Sequence, residues 1–181
     1  MKIKSCNSCD LCLSNNFTPV SGRGNKYPTF MFVGEAPGYT EYKEGSPFVG
    51  VSGKLLQSYI NNINLNNVSY ITNAVKCRPP ANREPLWYEL DICRNYLEAE
   101  IIIHNPKVII LLGRTAINSY FNTYIPTLKK LVGIPFEYNN RIIYINWHPS
   151  YILRNPKLTI EYDKMFKFLS SYYKLINPLY K

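Results

Sequence analysis

Long apolar runs are missing from this sequence. No stretch approaches the roughly 20 residues that a bilayer-spanning helix needs, and the opening Met1-Lys2-Ile3-Lys4-Ser5-Cys6 lacks the apolar segment of a signal peptide. The reading is a soluble, intracellular, cytoplasmic protein with no membrane partner. Internal repeats and low-complexity linkers are missing too, so the 181 residues are expected to form one domain over 1–181, within the roughly 100–200 residues common for one. Acidic residues are few: 12 Asp and Glu against 21 Lys and Arg, a formal charge of +9 and a pI near 9.3. Such an excess suits a polyanionic partner, because basic side chains that neutralise phosphates release counterions. Charge alone does not single out nucleic acid, since many basic proteins bind none. Hydrophobic residues make up 46% and charged ones 18%, which permits a core and argues against compositional disorder.

Four short runs rich in β-branched and aromatic residues alternate with longer helix-like segments: Thr29 to Val33, Val68 to Thr72, Lys107 to Leu112 and Arg141 to Asn146. Alternation of this kind predicts parallel strands joined by crossover helices. Ser52 reads as the N-cap of a helix over Gly53 to Asn61, and Pro85 as a first-turn residue of a long helix ending near Asn105. Further helices are expected over Arg114 to Asn122 and from about Thr159 to Leu175. The fold class is therefore α/β, a three-layer α/β/α sandwich around a central four-stranded, mostly parallel sheet. Ligands of open α/β sheets sit beyond the carboxyl ends of the strands. That directs attention to Gly34-Glu35-Ala36-Pro37-Gly38, to Asn73-Ala74-Val75-Lys76-Cys77, to Gly113-Arg114 and to Trp147-His148-Pro149-Ser150.

Those loops carry a specific pattern. Gly34-Glu35-Ala36-Pro37-Gly38, then Gly45-Ser46-Pro47-Phe48-Val49-Gly50 with Ser52-Gly53-Lys54-Leu55-Leu56, then Ile71 to Pro80, then His148-Pro149-Ser150-Tyr151 resemble the ordered signatures of family 4, the iron-sulfur type of uracil-DNA glycosylase. The likeness runs from Cys6 to about Arg154. It implies a uracil-DNA glycosylase-like fold, a uracil-containing DNA partner, a monomer, and a base-excision-repair hydrolase that flips uracil and cuts its N-glycosidic bond.

Cleaving that bond spreads positive charge onto the sugar and negative charge onto the leaving base, so a carboxylate near the one and a donor near the other are needed. Glu35 and His148 supply that pair; whether Glu35 orients water or stabilises the cation stays open. Unlike an O-glycosidase with two carboxylates, the site need only hydrogen-bond uracil O2, because the uracil anion is a tolerable leaving group. Asn73 is suited to read the base, since an amide accepts from N3–H and donates to O4, a pattern cytosine reverses. By resemblance, Gly34 and Ala36 join the base pocket, Phe48 stacks on the base, and Glu41 lies near uracil C5; a core phenylalanine is the competing reading for Phe48 and a solvated surface carboxylate that for Glu41. Resemblance also sends the loop after the histidine into the minor groove, with Leu153 as apolar wedge and Ser150 and Arg154 on the backbone. An inward-packed leucine is the competing reading for Leu153. Lys76, Arg78 and Arg83 could meet phosphates, although a solvated charge is the ordinary role of each. Gly113-Arg114 is a further candidate for the DNA backbone, and His104 reads as a helix C-terminal residue without a catalytic part.

Five cysteines is an odd number, and without an export signal they suit metal ligands or buried thiols better than disulfides. By resemblance Cys6, Cys9, Cys77 and Cys93 hold a 4Fe-4S cluster with a structural role, and Cys12 is a bystander. Zinc is the alternative for four thiolates. A relative acting on another deaminated base and a non-catalytic DNA-binding relative are alternative functions, the second weakened by the joint presence of Glu35, Asn73 and His148. The segment between Tyr120 and Arg141 is short for the family.

Overall fold

In the computed structural model, Ile3, residues 5–13 and residues 18–178 are described. The strands are β1 (Arg23–Gly24), β2 (Phe30–Gly34), β3 (Ser69–Asn73), β4 (Val108–Leu112), β5 (Phe136–Tyr138) and β6 (Arg141–Asn146). They form one sheet in the order β1-β3-β2-β4-β6-β5. Its four inner strands, β3, β2, β4 and β6, run parallel and begin and end within a residue or so of the four runs expected from sequence. The sheet has six strands rather than four. β1 and β5 add antiparallel edges, and neither announces itself, being two and three residues long.

β2 and β4 are apolar throughout because both faces are covered, while β3 and β6 also bury the polar Ser69, Thr72, Asn73 and Asn146. Phe30, Phe32, Ile110, Leu112 and Tyr144 point to one side; Met31, Val33, Ile109, Leu111, Ile143 and Ile145 point to the other, following the two-residue period of a strand. The helices are α1 (Asp10–Leu13), α2 (Tyr39–Glu44), α3 (Val51–Asn62), α4 (Trp87–His104), α5 (Arg114–Phe121), α6 (Pro149–Arg154) and α7 (Thr159–Ile176). Leu56 and Ile60 of α3, with Tyr162, Met165, Phe166 and Leu169 of α7, cover the first side. The 3, 4 and 7 spacings within α7 are those of one helix face. Leu97 and Ile101 of α4, with Ala116 and Ile117 of α5, cover the second. Each such side chain contributes on the order of 1.5–3 kcal/mol when fully buried, and together they lock the sheet between two helical layers.

Two helix starts differ from expectation. α3 opens at Val51 with Gly50, not Ser52, as its N-cap, because Glu41 Oε1 already holds the Gly50 N–H at 2.7 Å and turns the chain there. α4 opens at Trp87, two residues past Pro85. Its first turn is closed by Glu89, whose Oε2 accepts from the Leu86 N–H at 2.7 Å, a carboxylate favourably placed at a helix N-terminus. α1, α2 and α6 were not foreseen: helices of four to six residues are too short to display a period. Among the described residues no helix is long and apolar enough to cross a membrane.

The sheet register aligns the strand ends. Gly34 lies level with Asn73 and Leu112 level with Asn146, so the residues leaving β2, β3, β4 and β6 emerge along one edge.

Candidate active site

At that edge a cavity of about 940 Å³ opens, lined among others by Glu35, Phe48, Asn73, Thr115, His148 and Arg154. The acid after β2, the amide ending β3 and the imidazole after β6 thus share one space.

Glu35 is half-buried and its Oε2 accepts the Thr115 hydroxyl at 2.7 Å. Burial pushes its carboxyl above the usual range; the Thr115 hydrogen bond opposes that, the Glu84 charge adds to it and Arg114 opposes it. Thr115 escaped the sequence reading. Its signal was its place in the first turn of the helix after β4, the strand-end loop whose Gly113-Arg114 had drawn attention. Arg114 itself, considered for the DNA backbone, grips both oxygens of Glu84 at 3.0 and 2.8 Å, an exposed pair at the cavity rim.

His148 is the N-cap of α6. Its Nδ1 accepts from the Ser150 N–H at 3.2 Å and lies 2.8 Å from Ser150 Oγ. A peptide N–H can only donate, so Nδ1 is the acceptor and the neutral ring carries its proton on Nε2. Burial pushes the imidazole pKa down to about 4, and the charge of Arg154 adds to the effect. At neutral pH the group is therefore an uncharged Nε2–H donor.

Phe48 adopts a positive φ of 55°, in the left-handed region that side chains seldom occupy and that costs on the order of 1–3 kcal/mol. Two glycines leave room for it. A methyl on Gly53 would fall 2.1 Å from the Phe48 carbonyl carbon, and one on Gly34 would fall 2.4 Å from the Phe48 ring and 2.6 Å from Asn73 Oδ1. The Phe48 ring lies 5.9 Å from that of His148. Asn73 is buried, and among the described residues its side-chain amide has no hydrogen-bond partner within the protein, although it reaches the cavity wall.

Other expected residues fall differently. Glu41, expected beside uracil C5, borders the cavity, but its carboxylate accepts from the backbone N–H groups of Gly38, Val49 and Gly50 at 3.2, 3.1 and 2.7 Å. It shapes the turn that carries Phe48. Arg83, expected on phosphate, forks onto buried Glu89 at 2.8 and 2.6 Å and does not border the cavity. Burial would raise the Glu89 carboxyl; Arg83 and the Leu86 N–H outweigh it and hold it low. Lys76, also considered for phosphate, is buried in an ion pair with Glu100, where no phosphate can reach it. Arg78 donates to Asn82 Oδ1 at 2.7 Å and stacks over Tyr39 at 5.2 Å. His104, at the end of α4, lies 2.8 Å through Nδ1 from the Lys26 carbonyl oxygen and does not border the cavity. On α6, Leu153 is 43% exposed and Ile152 only 1%, so the inward position belongs to isoleucine and the leucine faces solvent. Ser150 and Arg154, on the same helix, border the cavity, and Leu153 does not.

Against the back of this wall the cysteines gather. Cys12, Cys77 and Cys93 are buried with Leu11, Ala74, Val75 and Leu90, and Cys6, Cys9, Ala36 and Tyr96 pack on them. No disulfide joins any of the five. Burial pushes the Cys77 thiol well up, reinforced by Cys12 and Cys93; burial takes Cys93 up to about 11, with Lys76 opposing. Among the described residues no three His, Cys, Asp or Glu side chains draw together closely enough to hold a metal ion. The chemistry of the donors fits an iron-sulfur group all the same: soft sulfurs in an apolar shell, with the Lys76 N–H donating to Cys93 Sγ at 3.3 Å. Crowded thiols that hold their protons against one another are the groups a cationic centre would deprotonate.

Comparison with known proteins adds an independent line. The family model of the Uracil DNA glycosylase superfamily matches residues 21–175. The chain is 39% identical over 176 residues to the Type-4 uracil-DNA glycosylase of Archaeoglobus fulgidus, covering 92% of this chain and 87% of that protein. It is 40% identical over 156 residues to the Type-4 enzyme of Thermotoga maritima, with 85% and 81% covered. Against that of Sulfurisphaera tokodaii it is 37% identical over 175 residues, with 92% and 79% covered.

Proposed function

The chain belongs to the uracil DNA glycosylase superfamily and is a uracil-DNA glycosylase of the fourth type, and from that premise we propose that Glu35, Asn73 and His148 carry the reaction in the strand-end cavity. The observation that supports this most is their convergence: one acid, one amide and one imidazole, from three separate strands, line a single space.

The substrate is a deoxyuridine extruded from DNA, at a cost of a few kcal/mol in stacking and pairing. Leu153, exposed on α6, fills the gap left in the duplex, while Ser150 and Arg154 meet the flanking backbone. The base enters over Gly34, whose missing side chain lets Phe48 and Asn73 close on one spot, with Ala36 beside it and Glu41 holding the turn that carries Phe48. Phe48 stacks on the ring, worth about 1–3 kcal/mol. Asn73 accepts from N3–H and donates to O4. Cytosine offers the opposite pattern and leaves buried groups unpaired.

In the reaction the C1′–N1 bond breaks and its electron pair passes to the uracil ring, where charge collects on O2. His148 meets that charge with its Nε2–H. A neutral donor suits the task, because it stabilises the anion without needing to be charged first. Positive charge on the sugar faces the Glu35 carboxylate, which also accepts a hydrogen bond from the attacking water; oxygen adds to C1′, one water proton leaves through the carboxylate, and the uracil anion takes up a proton on release. The products are free uracil and an abasic site.

Cys6, Cys9, Cys77 and Cys93 would hold a 4Fe-4S cluster that supplies a covalent staple between the N-terminal segment and the loop and helix behind Asn73, with no electron transfer in the cycle. Its shell packs on Ala36 and Val75, one residue from Glu35 and two from Asn73.

The test is release of free uracil from a synthetic strand, leaving an alkali-sensitive abasic site. His148→Ala is expected to slow release by about 100- to 1,000-fold, the usual effect of removing a preorganised donor. Full activity after replacing both Asn73 and His148 would overturn the roles assigned. A panel of strands bearing hypoxanthine, xanthine or mismatched thymine would reveal any broader substrate range.

A further inference from the structure

Behind the amide of Asn73 lies a buried ion pair that the reaction does not use. Lys76 Nζ stands 2.7 Å from Glu100 Oε2, the two side chains 1% and 0% exposed. The same ammonium donates to Thr72 Oγ1 at 2.8 Å and to the main-chain carbonyl of Asn73 at 2.6 Å. All three of its protons therefore have acceptors. Glu100 is equally occupied: Oε2 takes the Thr72 hydroxyl at 2.7 Å, and Oε1 takes the Gly22 N–H and the Tyr70 hydroxyl at 3.2 Å each.

A buried ion pair is seldom needed for stability alone, since apolar residues of similar volume often serve as well or better. Its strength is geometric. The Asn73 side chain has no protein partner among the described residues, so the direction of its amide depends on how its main chain is held. From one side the Ala74 and Val75 N–H groups bond to the Gly34 and Glu35 carbonyls, both at 2.9 Å. From the other the only charged donor on the Asn73 carbonyl among the described residues is Lys76, whose own backbone is tied by its N–H to Cys93 and by its carbonyl to the Val20 N–H at 2.7 Å.

We infer that Lys76, braced by Glu100, is a positioning residue for base recognition: its ammonium clamps the Asn73 carbonyl and so fixes the plane in which the amide meets the flipped uracil. The inference rests on Asn73 reading the base. Misplacing a recognition group by about 1 Å can cost on the order of 100-fold in rate.

Lys76→Met alone would strand the Glu100 charge, so the informative protein is the uncharged pair Lys76→Met with Glu100→Gln, studied alone and combined with Asn73→Ala. Two quantities are measured on each cluster-loaded protein: single-turnover uracil release and equilibrium affinity for free uracil. In the otherwise native protein the paired change is expected to slow release by about 100-fold and to weaken uracil binding; added to Asn73→Ala it should change neither further. If the double change does not fold, Glu100→Gln alone, which keeps an acceptor for Lys76, should give a smaller loss with the same non-additivity. A paired change that leaves uracil affinity intact, or whose loss adds in full to that of Asn73→Ala, overturns the positioning role while leaving Asn73 as reader. Asn73→Ala with native release and affinity would remove the reader itself, and the inference with it.

Discussion

Glu35 and His148 differ in what acid does to them. In the proposed reaction Glu35 works as the carboxylate, and burial lifts its pKa, so activity should fall on the acid side at a higher pH than an ordinary glutamate would dictate. His148, pushed down to about 4, is still neutral over that range and contributes only below it. Thr115 makes the assignment testable: its hydroxyl lowers the Glu35 pKa, so Thr115→Val should move the acid limb of kcat/KM to higher pH, and a profile unchanged by that substitution would detach the limb from Glu35. Gly34→Ala provides a steric test. A methyl there lies 2.4 Å from the Phe48 ring, and the expected outcome is loss of uracil binding together with a lower thermal midpoint, since Phe48 is buried in the core. Glu35, Asn73 and His148 are legible as cavity residues because their motifs combine rare chemistry with strand-end positions, whereas Thr115 carries no motif of its own. Lys76 was misread for the opposite reason. Sequence gives its charge but not its burial, and the partner that permits burial, Glu100, lies 24 positions away. The pairing of Arg83 with Glu89 on the first turn of α4 is likewise invisible in the sequence.

At the scale of elements, the inner strands stand out because short runs rich in β-branched and aromatic residues alternate with longer helix-like segments, and β2 and β4, buried on both faces, are apolar without interruption. The edge strands do not, since β5 is exposed along its length and β1 is defined by pairing with β3 rather than by its own composition. α6 is the instructive omission. Six residues show no period, yet the helix exposes Leu153 while Ile152 anchors it beneath. If Leu153 is the wedge, Leu153→Ala should slow excision from a duplex by roughly tenfold or more, because each ~1.4 kcal/mol of unstacking left uncompensated is a factor of ten, and leave excision from a single strand nearly unchanged. Equal losses on both substrates would assign Leu153 to packing instead.

Over the whole molecule, two distant parts of the chain meet behind the base pocket: Cys6 and Cys9 near the start, and Cys77 and Cys93 in the middle. Spacing alone could not bring them together; the fold does so by laying the N-terminal turn against α4. Replacing Cys77 with serine is expected to abolish visible absorption and bound iron and to lower the thermal midpoint, with uracil release falling because the loop next to Asn73 loosens. Iron retained at four per chain would place the cluster elsewhere. If acid, amide and imidazole address one flipped pyrimidine, a structure of the protein with free uracil will show it. The ring is expected stacked on Phe48, its N3–H and O4 edge on the Asn73 amide and O2 on His148 Nε2, each within about 2.7–3.2 Å; uracil bound outside the cavity, or seated with O2 toward Asn73, would contradict that geometry.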